Sequence, residues 1–288
     1  MRGFEVDRTP ILTRQRGCKA TDSTTIAHAQ WPCAHTMITW LHGPDDPLPA
    51  THRALRPGSD VPGLLAAGGG LGAQRLTEAY SKGVFPWYSE GQPVLWWSPD
   101  PRMVLLTDEF KLSRSLRKTV LRFMRSPGCE VRIDSAFRRV IGACAGTPRE
   151  GQNGTWIVPE MVEAYTAWHA QGRVHSFETW IDGELVGGLY GVSLGRMFFG
   201  ESMFSHRTDA SKIALAALVC FCRAHGMPMI DCQQQTGHLA SMGARTLPRA
   251  AFEARLTPIL GAPPVTDWTY DLSLWRYLHS PAAQDPGP

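Results

Sequence analysis

The sequence has no hydrophobic run long enough to cross a membrane. Its longest apolar stretch, Ile213 to Cys222, is about half of the roughly 20 residues that a membrane-spanning helix requires, and Lys212 and Arg223 bound it. The amino-terminal residues also lack the continuous apolar segment of a secretory signal. We therefore expect a cytoplasmic protein with no membrane partner.

The cysteines do not form a recognisable metal or disulfide pattern. There are seven, an odd number, and none belongs to a C-x-x-C pair. Cys220 and Cys222 point to different sides of a predicted helix, which argues against a metal site between them. We expect reduced thiols, most of them in the core.

Net charge is low, at +3 for 288 residues, so a nucleic acid would have to be bound by a local basic patch. A helix predicted over residues 111–126 offers one, with no acidic residue on its basic face. Five cations recur on that face at intervals of three or four residues: Lys111, Arg114, Lys118, Arg122 and Arg125. The opposite face is apolar and runs from Leu112 to Met124. The basic face fits either a solvated surface or contacts to a phosphate backbone.

Composition divides the chain into four segments. Residues 1–36 show no periodicity and predict a disordered extension, or one that is not translated if synthesis begins at Met37. Residues 37–110 are rich in Gly, Pro and Trp and predict a small loop-rich domain. Residues 111–262 predict a larger second domain, and residues 263–288 a tail. The small domain contains Trp87, Tyr88, Trp96 and Trp97, which either form a compact core or stack on a nucleoside.

The second domain alternates strands and helices. The predicted strands are 129–134, 176–182, 184–192, 196–205 and 228–233, and the predicted helices are 135–145, 160–171, 210–224, 238–242 and 249–255. Asp134 or Ser135 is the predicted cap of the first of these helices. Antiparallel strands, one long central helix and a further strand are typical of an acetyltransferase-like (GNAT) fold. The predicted class is α+β, with a mostly antiparallel sheet in the second domain.

One carboxylate stands out in the strand FFGESMFS, residues 198–205. Glu201 lies among aromatic and thioether side chains that predict burial, and an unpaired buried charge costs several kcal/mol. It therefore has a partner in the chain or awaits a cationic ligand. In IDCQ, Asp231 and Gln233 share one face of a strand, where they form either a site or a cap for the next turn. The fold order brings this strand beside Glu201, so two carboxylates face one cavity, and a cationic ligand would explain both.

Several ordered segments together resemble the leucyl/phenylalanyl-tRNA–protein transferase family, over roughly residues 37–260. The segments are GLLAAGGGL, AYSKGVFPWYSEGQPVLWWSPDPR, GTWI, GELVGGLYGV, FFGESMFS, ASKIAL, IDCQ and HLASMGA. The resemblance implies an enzyme that moves Leu or Phe, and less readily Met, from aminoacyl-tRNA to the free amino terminus of proteins beginning with Arg or Lys. The product is marked for N-degron degradation. It also implies a monomer and neither metal nor organic cofactor.

The resemblance assigns roles to residues of this chain. It implies catalytic roles for Glu201, Asp231 and Gln233. Binding of the tRNA 3′-terminal adenosine by stacking and hydrogen bonding falls to Tyr80, Trp87, Trp156 and Tyr165. An apolar pocket for the amino-acid side chain is expected from Leu189, Phe198, Met203 and Ile230. Phe198 and Met203 have opposite strand parity, so sharing a pocket requires a bulge, for which Gly200 is suited.

Because an aminoacyl ester is already activated, we expect orientation to matter more than strong base catalysis. Asp231 is expected to hold Gln233, Gln233 to accept a proton of the attacking amine, and Glu201 to position an ammonium or amide group. Two positions depart from the family pattern: Gly70 stands where an aspartate is usual, and Thr236 where some members have asparagine.

Three other functions fit the sequence less well. An acyl-CoA N-acetyltransferase needs a glycine-bearing phosphate loop, which RTDASKIAL, residues 207–215, lacks. A non-catalytic RNA-binding module would use the basic helix without needing Glu201 and Asp231. A peptidoglycan-type aminoacyl-tRNA ligase shares the fold order but not GESMFS or IDCQ.

Overall fold

The structure, a computed structural model, describes residues 38–147 and 157–279. The α-helices of this part of the chain are α1 (Ala73–Ser81), α2 (Arg114–Arg125), α3 (Phe137–Gly146), α4 (Pro159–His169), α5 (Ala210–Ala224), α6 (Gly237–Ala240) and α7 (Arg249–Gly261). Short 3-10 segments occur at Thr51–Arg53, Thr107–Glu109 and Leu272–Leu278.

The strands form two sheets. The strands are β1 (Thr39–Leu41), β2 (Leu64–Gly68), β3 (Phe85–Pro86), β4 (Leu95–Trp97), β5 (Arg102–Leu106), β6 (Cys129–Ile133), β7 (Val174–Ile181), β8 (Glu184–Leu194), β9 (Met197–Ser205), β10 (Met229–Gln233) and β11 (Arg245–Leu247). The first sheet has the order β1-β2-β4-β3, and the second has the order β11-β5-β10-β9-β8-β7-β6. The predicted α+β class, with a small amino-terminal domain and a sheet-rich second domain, is confirmed.

The centre of the large sheet is the predicted antiparallel meander β7-β8-β9. Asp182 and Gly183 form the first hairpin turn, both with positive φ, as the Asp-Gly signal predicts. Only β9 and β10 pair in parallel within this sheet. That pairing requires a crossover, and α5 supplies it across one face of the sheet. The chain order therefore brings the strand with Glu201 directly beside the strand with Asp231.

Helix α5 owes its length and composition to its surroundings. It is buried along almost its whole length, from Ala210 to Arg223. The apolar run noted in the sequence is therefore the interior of a core helix. It packs on β7, β8 and β9, and the carboxyl-terminal 3-10 segment covers it from the other side. No helix in the described part of the chain is both long and apolar enough to span a membrane.

The large sheet takes strands from both sides of the predicted boundary at residue 110. Strand β5 pairs with β10 and β11 in the large sheet, so the transition between the two sheets falls before residue 102 rather than at 110. The segment predicted as a tail is part of the fold as far as residue 279, because Trp268 stacks on Phe221 and Trp275 is buried. Residues 1–36, predicted to be a disordered or untranslated extension, lie outside the described residues.

Helix α3 is not capped as predicted. Its N-terminus receives Glu178 of β7, which accepts a hydrogen bond from the Ala136 backbone N–H at 2.8 Å. Asp134 instead accepts from the backbone N–H of Ser176 at 2.7 Å and pairs with His175. A carboxylate about 40 residues distant thus replaces the local cap that the sequence suggested.

Candidate active site

The site lies where two parallel strands separate. Strands β9 and β10 pair only from Met197 with Met229 to Phe199 with Asp231, and the pairing then ends. Beyond this point their backbones diverge and leave a crevice at the carboxyl ends of both strands. Crevices of this kind are common ligand sites in sheets that contain parallel strands.

Each of the two strands has a bulge at the crevice. In β9, Ser202 pairs with Tyr190 and Gly200 with Gly191, which leaves Glu201 as the extra residue. In β10, Cys232 is extra between Asp231 and Gln233, and Gln233 has a φ of 60°. Bulges redirect side chains. The bulge predicted at Gly200 therefore falls one residue later, on the carboxylate itself.

Asp231 forms a buried ion pair with Arg102 of β5. The guanidinium donates from Nε to Oδ1 at 2.8 Å and from Nη2 to Oδ2 at 2.6 Å, and both side chains are almost completely buried. The guanidinium also lies over the rings of Phe85 and Phe252. Bidentate pairing of this kind fixes the orientation of the carboxylate. The sequence suggested a cationic ligand for both carboxylates, but the cation that pairs with Asp231 is Arg102 of the same chain.

Asp231 holds Gln233 through the backbone rather than the side chain. Its Oδ1 accepts a hydrogen bond from the Gln233 backbone N–H at 2.8 Å, which stabilises the left-handed conformation of that residue. The Gln233 side-chain Nε2 donates to Oε1 of Glu201 at 2.8 Å. The nitrogen of the Gln233 side-chain amide is therefore held by Glu201, and the carbonyl oxygen of the same amide can accept a hydrogen bond from a ligand.

Glu201 is partnered by neutral donors. Tyr80 of α1 donates to Oε1 at 2.7 Å, and the Tyr165 hydroxyl of α4 lies 3.4 Å from Oε2. The two tyrosine hydroxyls are also hydrogen-bonded to each other at 2.5 Å. Uncharged hydroxyl groups therefore contact both oxygens of Glu201.

The protonation of Glu201 is set mainly by burial. Burial raises its pKa to about 8, and the nearby Asp231 carboxylate adds to the rise, whereas the Tyr80 hydrogen bond and Arg102 oppose it. Burial and the charge of Glu201 also raise the pKa of both tyrosines well above the usual range. The acid form of Glu201 therefore predominates near pH 7.

A cavity of about 420 Å³ opens beside these polar groups. Glu201, Asp231 and Gln233 line one part of it, and the remainder is mostly apolar. Of the predicted pocket residues, Leu189, Met203 and Ile230 line it. Leu215 and Leu218 of α5 complete the wall, and the sequence analysis missed them because they looked like ordinary helix core.

Phe198 corrects the predicted pocket. Its side chain is fully buried and packs edge-on against Phe177, within the core that the sheet forms with α5, and it does not line the cavity. Phe198 pairs with Ile230 of β10, so it lies on the cavity face of the sheet, and the bulge at Glu201 brings Met203 to the same face. Only Met203 lines the cavity, because the Phe198 ring packs with Phe177 and Trp268 in the core.

The predicted adenosine-binding residues lie in different environments. Trp87 is partly exposed and lines the cavity with Phe85, whereas Tyr88, Trp96 and Trp97 are buried. Tyr80 and Tyr165 are completely buried, so neither presents a ring face on which a base could stack in this structure, and their role at the adenosine stays a prediction. Their hydroxyls hold Glu201. Trp156 lies outside the described residues.

Helix α2 presents the basic face that its sequence predicts. Leu116, Val120 and Phe123 are buried, and Met124, predicted on the apolar side, is exposed. The five predicted cations are all exposed: Lys111, Arg114, Lys118, Arg122 and Arg125. None of them lines the cavity, so they could contact only a ligand that is large enough to extend from the cavity to α2.

Comparison with known proteins indicates one family. A family model described as leucyl/phenylalanyl-tRNA protein transferase matches residues 104–257, and the model of that family's N-terminal domain matches residues 69–100. The leucyl/phenylalanyl-tRNA–protein transferase of Methylibium petroleiphilum is 66% identical over 250 residues, which are 87% of this chain and 94% of the relative. That of Leptothrix cholodnii is 61% identical over 256 residues, 88% of this chain and 99% of the relative.

Together, the relatives and the site define an aminoacyltransferase that uses aminoacyl-tRNA as its donor. The cavity, the oriented amide and the neutralised carboxylate suit a reaction in which an already activated acyl group must be positioned. The chain belongs to the leucyl/phenylalanyl-tRNA–protein transferase family.

The two departures from the family pattern have simple surroundings. Gly70 has a φ of 67° and open space around it, so a side chain there would meet no neighbour. Thr236 caps α6, since its Oγ1 accepts from the Leu239 backbone N–H at 3.3 Å. Threonine therefore still supplies a helix cap at this position.

The Arg102–Asp231 pair generates a first prediction. Arg102→Met leaves a buried carboxylate without its cation, and we expect a loss of about 3–5 kcal/mol in the free energy of unfolding. Adding Asp231→Asn removes the stranded charge but keeps an acceptor for the Gln233 N–H, so the double variant should recover part of that loss. Urea unfolding of both single variants and the double variant measures the coupling; additive losses would contradict a direct pair.

Glu201 generates a second prediction. Its folded-state pKa lies above that of an unfolded glutamate, so the folded protein retains a proton that the unfolded chain releases. This contribution to stability is present below about pH 4.5 and is lost as pH rises towards 8. Relative to the neutral Glu201→Gln variant, the wild type should therefore lose up to about 1.4 kcal/mol per pH unit across that window. Urea unfolding at pH 5, 6.5 and 8 tests this, and a constant difference would refute it.

Proposed function

We propose that the enzyme transfers leucine or phenylalanine, and less readily methionine, from aminoacyl-tRNA to the α-amine of proteins that begin with Arg or Lys. In the cytoplasm this would mark them for N-degron degradation. The cavity supports the proposal most directly, because its wall of Leu189, Leu215, Leu218 and Ile230 ends at Glu201 and Gln233. An apolar side chain can be held there while its ester carbonyl stays beside polar groups.

In the proposed geometry, the Gln233 carbonyl oxygen accepts a hydrogen bond from the attacking amine. Asp231 fixes the backbone of Gln233, and Glu201 fixes its side-chain nitrogen. Arg102 neutralises Asp231, so the cavity is less acidic than its carboxylate count suggests. Attraction for a cationic acceptor residue therefore rests chiefly on the ionised form of Glu201.

The donor tRNA would be held at two places. The exposed part of Trp87 suits stacking on the terminal adenosine, together with Trp156. The basic face of α2 suits phosphates farther along the tRNA, since its cations are exposed and carry no acidic partner on that helix.

Acyl-CoA is a poor alternative donor for this site. The N-terminus of α5, where a pyrophosphate would sit, begins with Asp209 in a left-handed conformation, and its carboxylate pairs with Lys212 at 2.8 Å. A carboxylate at that position disfavours a second anion.

Transfer of labelled leucine to a peptide provides the third prediction. Label should pass from Leu-tRNA to a peptide beginning with Arg and not to the same peptide with an acetylated amino terminus. A peptide beginning with Met should accept much less, and acetyl-CoA should acetylate neither peptide. Equal transfer to the Arg and Met peptides would refute the acceptor specificity, and acetylation from CoA would refute the choice of donor.

The basic face provides the fourth prediction. Lys118→Gln with Arg122→Gln should weaken tRNA binding and lower the slope of log affinity against log salt by about 1 for each lost phosphate contact. Binding can be followed by filter retention at several salt concentrations. The matched control is Arg138→Gln with Arg139→Gln on α3, where both arginines are exposed. An unchanged slope, or the same change in the control, would contradict the assignment.

A further inference from the structure

The cavity contains a histidine that the chemistry above does not use. His238 lies in α6 and lines the cavity together with Gln233 and Gln234. Thr236 fixes the start of this short helix through its cap. The imidazole makes no hydrogen bond to any residue that the structure describes, so both ring nitrogens are free to meet a ligand.

The transfer reaction requires an acceptor for a proton. The α-ammonium of the acceptor protein loses one proton to become a nucleophile, and its nitrogen then forms a bond to the ester carbonyl carbon. The carbon–oxygen bond to the terminal ribose breaks, and a second proton from the amine goes to the departing ribose oxygen. One proton is therefore released for each amide formed. The Gln233 carbonyl can orient the amine, but an amide is too weak a base to hold that proton.

The other titratable groups of the cavity are poorly suited to accept it. Both oxygens of Asp231 are engaged by Arg102. Glu201 is buried behind Gln233 and two tyrosines and is already protonated near pH 7. Burial raises the pKa of the Cys232 thiol, which keeps it protonated as well. Among the described residues that line the cavity, His238 is therefore the side chain best suited to accept the proton.

We propose that His238 takes the proton from the α-ammonium group of the acceptor as the amine approaches the aminoacyl ester. The proton then passes to solvent, to which His238 is exposed. This inference rests on the proposed function, because it assumes an amine as the nucleophile.

The surroundings of His238 favour its neutral form, mainly because the imidazole is partly buried. Lys212 and Asp209 of α5 are the charged groups that act on it, and they are paired with each other. Partial burial and Lys212 lower the pKa of His238 below the usual histidine value, and Asp209 opposes them. A base works in its deprotonated form, and this shift increases the fraction of neutral imidazole at a given pH.

The test is the pH dependence of kcat for leucine transfer to a peptide beginning with Arg, in wild type and His238→Gln. At pH 6.5 most α-amines are protonated, and the variant should be slower by at least about tenfold. At pH 8.5 the amine, with a pKa of about 7.7–8.0, is already free, so the defect should shrink towards parity. His52→Gln, an exposed histidine of the first domain, is the control and should match wild type throughout.

Two results would overturn the role of His238. One is a kcat of His238→Gln equal to that of wild type at pH 6.5. The other is a decrease in kcat of the same size at every pH, which indicates a structural effect. A second variant, His238→Ala, should regain activity on addition of imidazole at pH 6.5, and absence of rescue would also count against the proposal. Failure of the wild type itself to transfer leucine to the Arg peptide would defeat the proposed function instead.

Discussion

The buried pair between Arg102 and Asp231 is the interaction on which the active site depends. It joins β5 to β10 and places a fully neutralised carboxylate beneath the crevice. Asp231 in turn holds Gln233 in a left-handed conformation, and Gln233 reaches Glu201. Removing the charge of Arg102 would therefore also disturb Gln233 and Glu201, to which Arg102 makes no hydrogen bond. The aromatic rings around Arg102 come from the first sheet and from α7, so the pair also ties together three parts of the fold.

Glu201 shows how the two domains share one site. Its partners are a tyrosine from α1 and another from α4, while the carboxylate itself belongs to β9. Neutral donors can satisfy a buried carboxyl group without the cost of a second buried charge, and they leave it with a pKa near neutrality. A group in that state responds to the approach of a cation by ionising. The acceptor can thus create part of the charge that attracts it.

The sequence predicted what depends on local pattern. The meander, the Asp-Gly turn and the buried helix α5 follow from residue alternation, turn chemistry and apolar composition, and the structure contains all three. It did not predict the role of Arg102, because the partner of this residue, Asp231, is 129 residues away. The register of the bulges was missed for the same reason: bulge position is decided between strands. Phe198 lies on the predicted face but packs in the core, because alternation fixes the face of a strand residue and not what its side chain contacts. The burial of Tyr80 and Tyr165 likewise depends on contacts between distant elements.

The pocket wall has one consequence for how this enzyme can change. Leu215 and Leu218 face the cavity, yet they belong to a helix whose neighbouring side chains form the interior of the second domain. Enlarging the pocket at these positions would also open a void in that interior, which costs several kcal/mol for each leucine truncated to alanine. Met203 is partly exposed and lies on a strand, so it can vary at lower cost. Evolutionary divergence in donor preference should therefore begin on the strand side of the pocket rather than on the helix.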